Sequence, residues 1–397
     1  MSHKKDIVFI PDGDIDSLDY FSGIPHFFYN SLISIEDVNN IKLHTIIFSE
    51  CFELEEIVKL INNSIDKKIF QKSNKWLNSD FIKNVKKAKD DYEIINAIKA
   101  YWSKCEDEIY YRWPKGVSFK SPTLLLSPFY PFIGEKTNLN FYLDCSNVKF
   151  FFDKKFGTLK EYNVSEILIE FFKQTEQRLL EKAENIFCFS EKAKIEINQL
   201  YNIPLNRLRV VGAGANLYQY PEPKSIIVDK EKLNILFIGK DFYRKGGNTV
   251  LKIAESLPIN KFSFTIITNY QPISNYKNVK FLQPLPKEEI ICFYEEADVF
   301  LFPTNFEPFG IVILEAMSYS LPIIASNIGS IPELLGKSSS LFCHNPNDVS
   351  KYIDSLIMLY NNYEHRKSQS NINYNRAIKL YKWETVSQKI IYKLLSN

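Results

Sequence analysis

Two carboxylates stand eight residues apart in the segment Phe302-Pro-Thr-Asn-Phe-Glu307-Pro-Phe-Gly310-Ile-Val-Ile-Leu-Glu315-Ala. Its pattern is a buried strand, a short loop that delivers Glu307, and an apolar helix that starts near Gly310 and carries Glu315 about one and a half turns in. The backbone N–H groups of Gly310, Ile311 and Val312 fall where a helix offers them no internal acceptor, so with the helix dipole they form an anion site. Carboxylates beside such a site suit pairs of neighbouring hydroxyls, those of a ribose for one and of a hexose for the other. The spacing alone carries little weight; its setting of strand, Pro-Phe-Gly turn and apolar helix carries much more.

A second chemical segment is Phe237-Ile-Gly239-Lys240-Asp-Phe-Tyr-Arg244-Lys245-Gly246-Gly247. By itself it reads as an exposed basic turn. Coupled to the Glu307 segment, Lys240 and Lys245 become point charges able to neutralise a leaving diphosphate, with Arg244 a third candidate cation.

Both segments need a framework that brings strand ends together. From about Leu233, apolar runs alternate with helical patterns: strands at Ile235–Ile238, Phe264–Ile267, Val279–Leu282, Val299–Phe302 and Pro322–Ala325, and helices at Thr249–Leu257, Lys287–Ala297 and Gly310–Tyr319. That order predicts βαβ units and a parallel sheet, whose ligands bind at the carboxyl ends of the strands. The first half opens with a strand at Ile7–Ile10, a helix over Pro25–Ile35 and a strand over Leu43–Phe48. It closes with a strand at Ile186–Phe189, a helix over Glu191–Tyr201 and a strand at Leu208–Val211. Pro221-Glu-Pro223 interrupts regular structure between Ala215 and Lys230, which places the domain boundary there. Helical residues around Asn373–Leu395 have no strand to alternate with. The basic stretch Lys83–Lys104 with Tyr92, Tyr101 and Trp102, near Lys67, Lys68, Lys72, Lys75 and Trp76, reads as a solvated helix whose aromatics pack inward. Docking on anionic lipid is the alternative.

The bulk numbers agree with two cores: 397 residues, 45% of them hydrophobic. The 49 basic and 47 acidic side chains leave a formal charge of +2, which excludes the basic stripe of a dedicated nucleic-acid binder. The six cysteines are scattered with no C-x-x-C pair, which fits buried thiols in a reducing compartment. No stretch reaches the roughly 18 apolar residues that span a bilayer. The expectation is a cytoplasmic protein, with any association at the inner face of the membrane peripheral.

Together the two segments resemble the retaining GT-B glycosyltransferases of family 4, within the glycogen-synthase-like group, whose nucleotide domain carries G-R-x4-K-G and E-x7-E. Lys240 stands at the arginine position, Lys245 matches the lysine, and Glu307 and Glu315 match the glutamates; the likeness continues through Leu321-Pro-Ile-Ile-Ala-Ser-Asn-Ile-Gly329-Ser-Ile-Pro-Glu333. It implies an α/β, GT-B architecture of two Rossmann-like doubly wound domains facing across a cleft. Residues 1–215 are then an acceptor-binding domain, residues 216–375 a nucleotide-sugar-binding domain, and residues 376–397 a helix crossing back to the first domain. It also implies that Lys240 and Lys245 hold the diphosphate, Glu315 the ribose and Glu307 the donor sugar, with a UDP-sugar favoured and no metal required. The acceptor is a glycan, a lipid-linked sugar or a protein. In the first domain, Gly23 resembles the glycine of the loop that approaches the donor phosphate, and Asp144 the residue presented to the reacting sugar. The bland readings are caps: a helix-capping glycine and a helix-capping aspartate. His26, His44 and His344 show no ligand spacing. Lys240 in place of arginine loses the bidentate fork, and Ile267-Thr-Asn-Tyr270 departs from the family's glycine-rich turn.

A nicotinamide dehydrogenase is excluded by the absence of G-x-G-x-x-G after either first strand, and a P-loop NTPase by the context of Gly239-Lys240. The rival that survives is a degenerate glycosyltransferase-like protein that binds a sugar nucleotide or a partner subunit.

Overall fold

Runs such as Val299–Phe302, apolar on both faces, suit strands covered on both sides, and they are used in parallel sheets throughout. The computed structural model describes residues 4–11, 24–37, 39–46, 57, 75–126, 137–154, 157, 159, 162, 164–226, 230–270 and 276–396. The chain divides into two units: the first ends at Val211 and regains Ser387–Asn397, and the second runs from Gly212 to Val386 together with Ser190–Lys192.

The first unit contains β1 (Lys5–Ile10), α1 (Ile24–Ser34), β2 (Ile41–Thr45), α2 (Lys75–Lys87), α3 (Asp91–Tyr111), β3 (Pro122–Leu125) and β4 (Asn138–Leu143). They are followed by α4 (Asn147–Phe152), α5 (Glu166–Lys182), β5 (Asn185–Cys188), α6 (Glu191–Tyr201) and β6 (Leu208–Val210). Its sheet has the order β2-β1-β3-β4-β5-β6, parallel at every pairing. The basic stretch Lys83–Lys104 is two helices rather than one. The break is capped by side chains: Asp90 accepts from the Glu93 N–H at 2.8 Å while the Glu93 carboxylate accepts from the Lys89 N–H at 2.8 Å. Tyr101 and Trp102 pack inward against Phe81 and Phe171, whereas Tyr92 is exposed. Lys67, Lys68 and Lys72 lie outside the described residues.

The second unit contains β7 (Leu233–Ile238), α7 (Gly247–Ser256), β8 (Phe262–Ile267), β9 (Val279–Leu282), α8 (Lys287–Glu296) and β10 (Val299–Phe302). It continues with α9 (Ile311–Ser318), β11 (Ile323–Ser326), α10 (Ile331–Leu335), β12 (Cys343–His344), α11 (Val349–Asn361) and α12 (Tyr363–Leu380). Its parallel sheet has the order β9-β8-β7-β10-β11-β12. That is the doubly wound order, with its direction reversing between β7 and β10. The core is built from residues such as Leu233, Ile235, Phe237, Ile253, Phe264, Ile266, Val299 to Phe302, Leu314 and Ile324, all essentially inaccessible. The helical tail begins earlier than Asn373, since α12 starts at Tyr363; α13 (Trp383–Leu395) follows it, and its residues from Ser387 cluster with the first unit. Among the described residues no helix is long and apolar enough to cross a membrane.

Candidate functional site

β7 and β10 lie side by side, pairing Val299 with Ile235 and Phe300 with Leu236, so the loops that leave their carboxyl ends meet at the reversal of strand order. One loop carries Lys240, Arg244 and Lys245, and the other carries Glu307. The backbone stitches them together: the Arg244 carbonyl accepts from the Asn305 N–H at 2.8 Å and from the Thr304 hydroxyl at 3.2 Å, and the Tyr243 carbonyl accepts from the Asn305 side chain at 3.0 Å.

Lys245 Nζ is ion-paired with Glu307 Oε2, and the two side chains are only 15% and 10% exposed. The ammonium also lies 5.2 Å from the centre of the Phe302 ring. Burial holds the Lys245 pKa below its ordinary value; attraction to Glu307 opposes this, and the nearby Arg244 charge adds to it. The structure therefore brings Lys245 and Glu307 together, with the cation short of solvation and receptive to more negative charge. Arg244 is not a free third cation: its Nε donates to Asp241 at 3.1 Å and its Nη1 to the Phe306 carbonyl at 3.2 Å, so it braces the Glu307 loop. Lys240 has an exposed side chain, while its carbonyl accepts from the Asn269 N–H at 3.2 Å. The departure noted at Tyr270 is filled by packing, as its ring stacks on Phe242 with centroids 4.1 Å apart.

Two glycines let the backbones approach this closely. Gly246 has φ +86°, and a Cβ there would sit 1.9 Å from the Pro303 carbonyl oxygen; Gly329 has φ +56°, and its Cβ would sit 1.8 Å from the Glu307 carbonyl oxygen. The Glu307 loop is thus held on two sides by positions that admit no side chain.

Gly310, in the left-handed region at φ +108°, caps α9, and the N–H groups of Ile311 and Val312 occupy its first turn. Glu315 lies deeper in the helix, 6% exposed. Its Oε1 is ion-paired with Lys287, and its Oε2 accepts from the Tyr294 hydroxyl at 2.9 Å. Burial and the adjacent carboxylate push the Tyr294 phenol far up, so it remains a donor. Lys287 and Tyr294 belong to no motif in the sequence. Their signal is a spacing of seven on α8, two turns along one face, opposite a buried carboxylate that requires a counter-cation.

In the first unit, Asp144 follows β4 half-buried and accepts weakly from the Cys145 thiol at 3.4 Å. It is not the helix cap: Ser146 fills that position, accepting from the Lys149 N–H. Gly23 lies outside the described residues. His26, His44 and His344 are engaged with Asn30, Asp6 and Ser355 respectively. Sequence reasoning also passed over Glu176. It is fully buried, accepts from the N–H groups of Asn147 and Val148 and from the hydroxyls of Ser146 and Tyr201, and has its pKa raised by burial to about 7. Sealed from solvent, it acts as an anchor for α4.

Comparison with known proteins adds independent findings. Residues 221–376 match the family model of glycosyl transferases group 1. An uncharacterized 41.2 kDa protein in the cps region of Klebsiella pneumoniae is 32% identical over 134 residues, 32% of this chain and 37% of that protein. The O-antigen chain mannosyltransferase B of Escherichia coli is 25% identical over 273 residues, 62% of this chain and 69% of that protein. Among solved structures, sucrose-phosphate synthase from Thermosynechococcus elongatus aligns over 99% of both chains with a TM-score of 0.67 at 15% identity, a likeness of fold. The chain thus has the GT-B fold, and within it residues 221–376 are similar to the glycosyl transferases group 1 family.

Proposed function

We propose that the protein is a retaining glycosyltransferase of family 4, moving a hexose-type sugar from a nucleoside diphosphate sugar, a UDP-sugar being favoured, to a hydroxyl of a glycan, a lipid-linked sugar or a protein. The observation that carries this reading is the buried Lys245–Glu307 pair at the β7/β10 switch point. Without a ligand, cation and carboxylate neutralise each other. A bound donor divides their tasks: the diphosphate takes Lys245, and the hexose hydroxyls take Glu307.

In this reading the acceptor hydroxyl attacks the anomeric carbon on the face from which the diphosphate departs. The bond from that carbon to the phosphate oxygen breaks, the bond to the acceptor oxygen forms, and the leaving phosphate takes the acceptor's proton. The protein supplies position and charge: Lys240, Lys245 and the first turn of α9 meet the charge that develops on the leaving group, so no divalent metal is required, and Glu307 orients the sugar. Glu315 receives the ribose, and Asp144 and Gly23 keep the roles that the resemblance implies. The Escherichia coli relative is named a mannosyltransferase, so mannose-bearing donors, GDP-mannose among them, are the first alternative.

Thermal stabilisation by UDP, GDP, ADP and their sugar conjugates tests the reading, with wild type set beside Glu315→Ala and Lys245→Ala. At a hundredfold its dissociation constant a ligand adds about 2.7 kcal/mol to the native state. One nucleotide should stabilise the wild type and neither variant. If no nucleotide shifts the wild type, the proposal is refuted.

A further inference from the structure

We propose that Lys287 and Tyr294 are positioning residues that hold Glu315 for a ribose and thereby set a preference for ribonucleotides over 2′-deoxyribonucleotides. This rests on the reading of Glu315 as the ribose acceptor. A carboxylate has about four acceptor positions, two on each oxygen. Among the described residues Lys287 takes one on Oε1 and Tyr294 one on Oε2. One position is left on each oxygen, which matches the two donors of a vicinal diol. A 2′-deoxyribose brings only one donor and leaves a buried acceptor unpaired, which is costly in a site this enclosed.

The clamp is fixed on both arms. Tyr294 is buried and stacks on Tyr319 with ring centroids 5.2 Å apart and planes 10° from parallel. Lys287 occupies the first turn of α8 beside Glu288 and Glu289. The helix dipole favours those two glutamates there and disfavours a lysine, so the local helix does not account for Lys287. The Glu315 carboxylate does. Because both arms come from α8, seven residues apart, they approach the carboxylate as one rigid unit and fix its plane.

The test is calorimetric titration of matched ribo- and 2′-deoxyribonucleoside diphosphates, carrying the base that stabilises the wild type, into wild type, Tyr294→Phe, Lys287→Met, Lys287→Arg and Glu315→Ala. Melting temperatures report whether each variant is folded. The wild type should prefer the ribonucleotide about tenfold to a hundredfold. Tyr294→Phe and Lys287→Met should each cut that preference at least roughly threefold, mainly by weakening the ribonucleotide, and Lys287→Arg should restore most of it. An unchanged preference in folded Tyr294→Phe and Lys287→Met, with its loss in Glu315→Ala, overturns the clamp and leaves the ribose reading standing. An unchanged preference in Glu315→Ala overturns the ribose reading itself, and the clamp with it.

Discussion

Replacing Lys245 by methionine keeps an unbranched hydrophobic stem and removes the ammonium that lies near the Phe302 ring and opposite Glu307. With its carboxylate only 10% exposed, Glu307 is left buried beside an apolar side chain, a loss of about 3–5 kcal/mol. In a unit of this size each kcal/mol moves the melting temperature by about 2–4 °C, so the drop should be roughly 6–20 °C. Glu307→Gln strands the lysine and should also destabilise. The double variant Lys245→Met/Glu307→Gln removes both charges from a site that already disfavours the lysine cation, as its lowered pKa records, and should regain much of the loss. The coupling energy should be about 3–5 kcal/mol, the size of the single-variant loss that the double variant recovers. Scanning calorimetry at neutral pH measures it, and nucleoside diphosphate titration on the same samples should find the double variant stable but unable to bind. Additive losses in the double variant would refute the argument, because they would mean that the two charges do not support each other across the switch point.

Two further outcomes follow from the geometry. Gly246→Ala forces a Cβ to within 1.9 Å of the Pro303 carbonyl at positive φ and should cost about 2–4 kcal/mol, whereas Gly116→Ala, at φ +80° with nothing within 4 Å, should cost only the backbone strain of about 1 kcal/mol. Equal losses in denaturant titration would discredit the close-approach account. Burial raises Glu176 from 4.5 to about 7, so its stabilising contribution is complete below pH 4.5 and is lost as pH rises through about 7, by roughly 3 kcal/mol. Glu176→Gln lowers stability by an offset that does not titrate. The difference between wild type and variant should therefore shrink from pH 4 to pH 8 by that amount, and a constant difference contradicts the assignment.

What could be read from the sequence depended on whether a polar residue interrupts an apolar pattern. Glu315 is the one charge in a helix that otherwise reads Ile-Val-Ile-Leu-Ala-Met-Ser, so the pattern alone marks it as buried and purposeful. Glu307 and Lys245 are legible for a related reason: each sits in the loop that follows an apolar strand, and the parallel alternation of strand and helix already assigns such loops to one edge. Glu176 carried the same kind of signal, falling in the stripe Leu168, Phe172, Thr175, Leu179, Leu180 of α5, and was missed because that helix is polar on its other face. The break between α2 and α3 was written in Asp90 and Glu93, but helical periodicity on both sides concealed it. Lys287 is different in kind. α8 is half polar, a lysine there violates no pattern, and its partner lies 28 residues away on another helix. Only the doubly wound order, which lays α8 and α9 on either side of β10 in the chain, gives that lysine a buried carboxylate to answer. A charge buried within an apolar stripe is therefore easier to read than the side chain on another helix that answers it. Glu315 and Glu176 each break the apolar stripe of their own helix, whereas Lys287 conforms to the pattern of α8 and acquires meaning only from a contact that the fold creates.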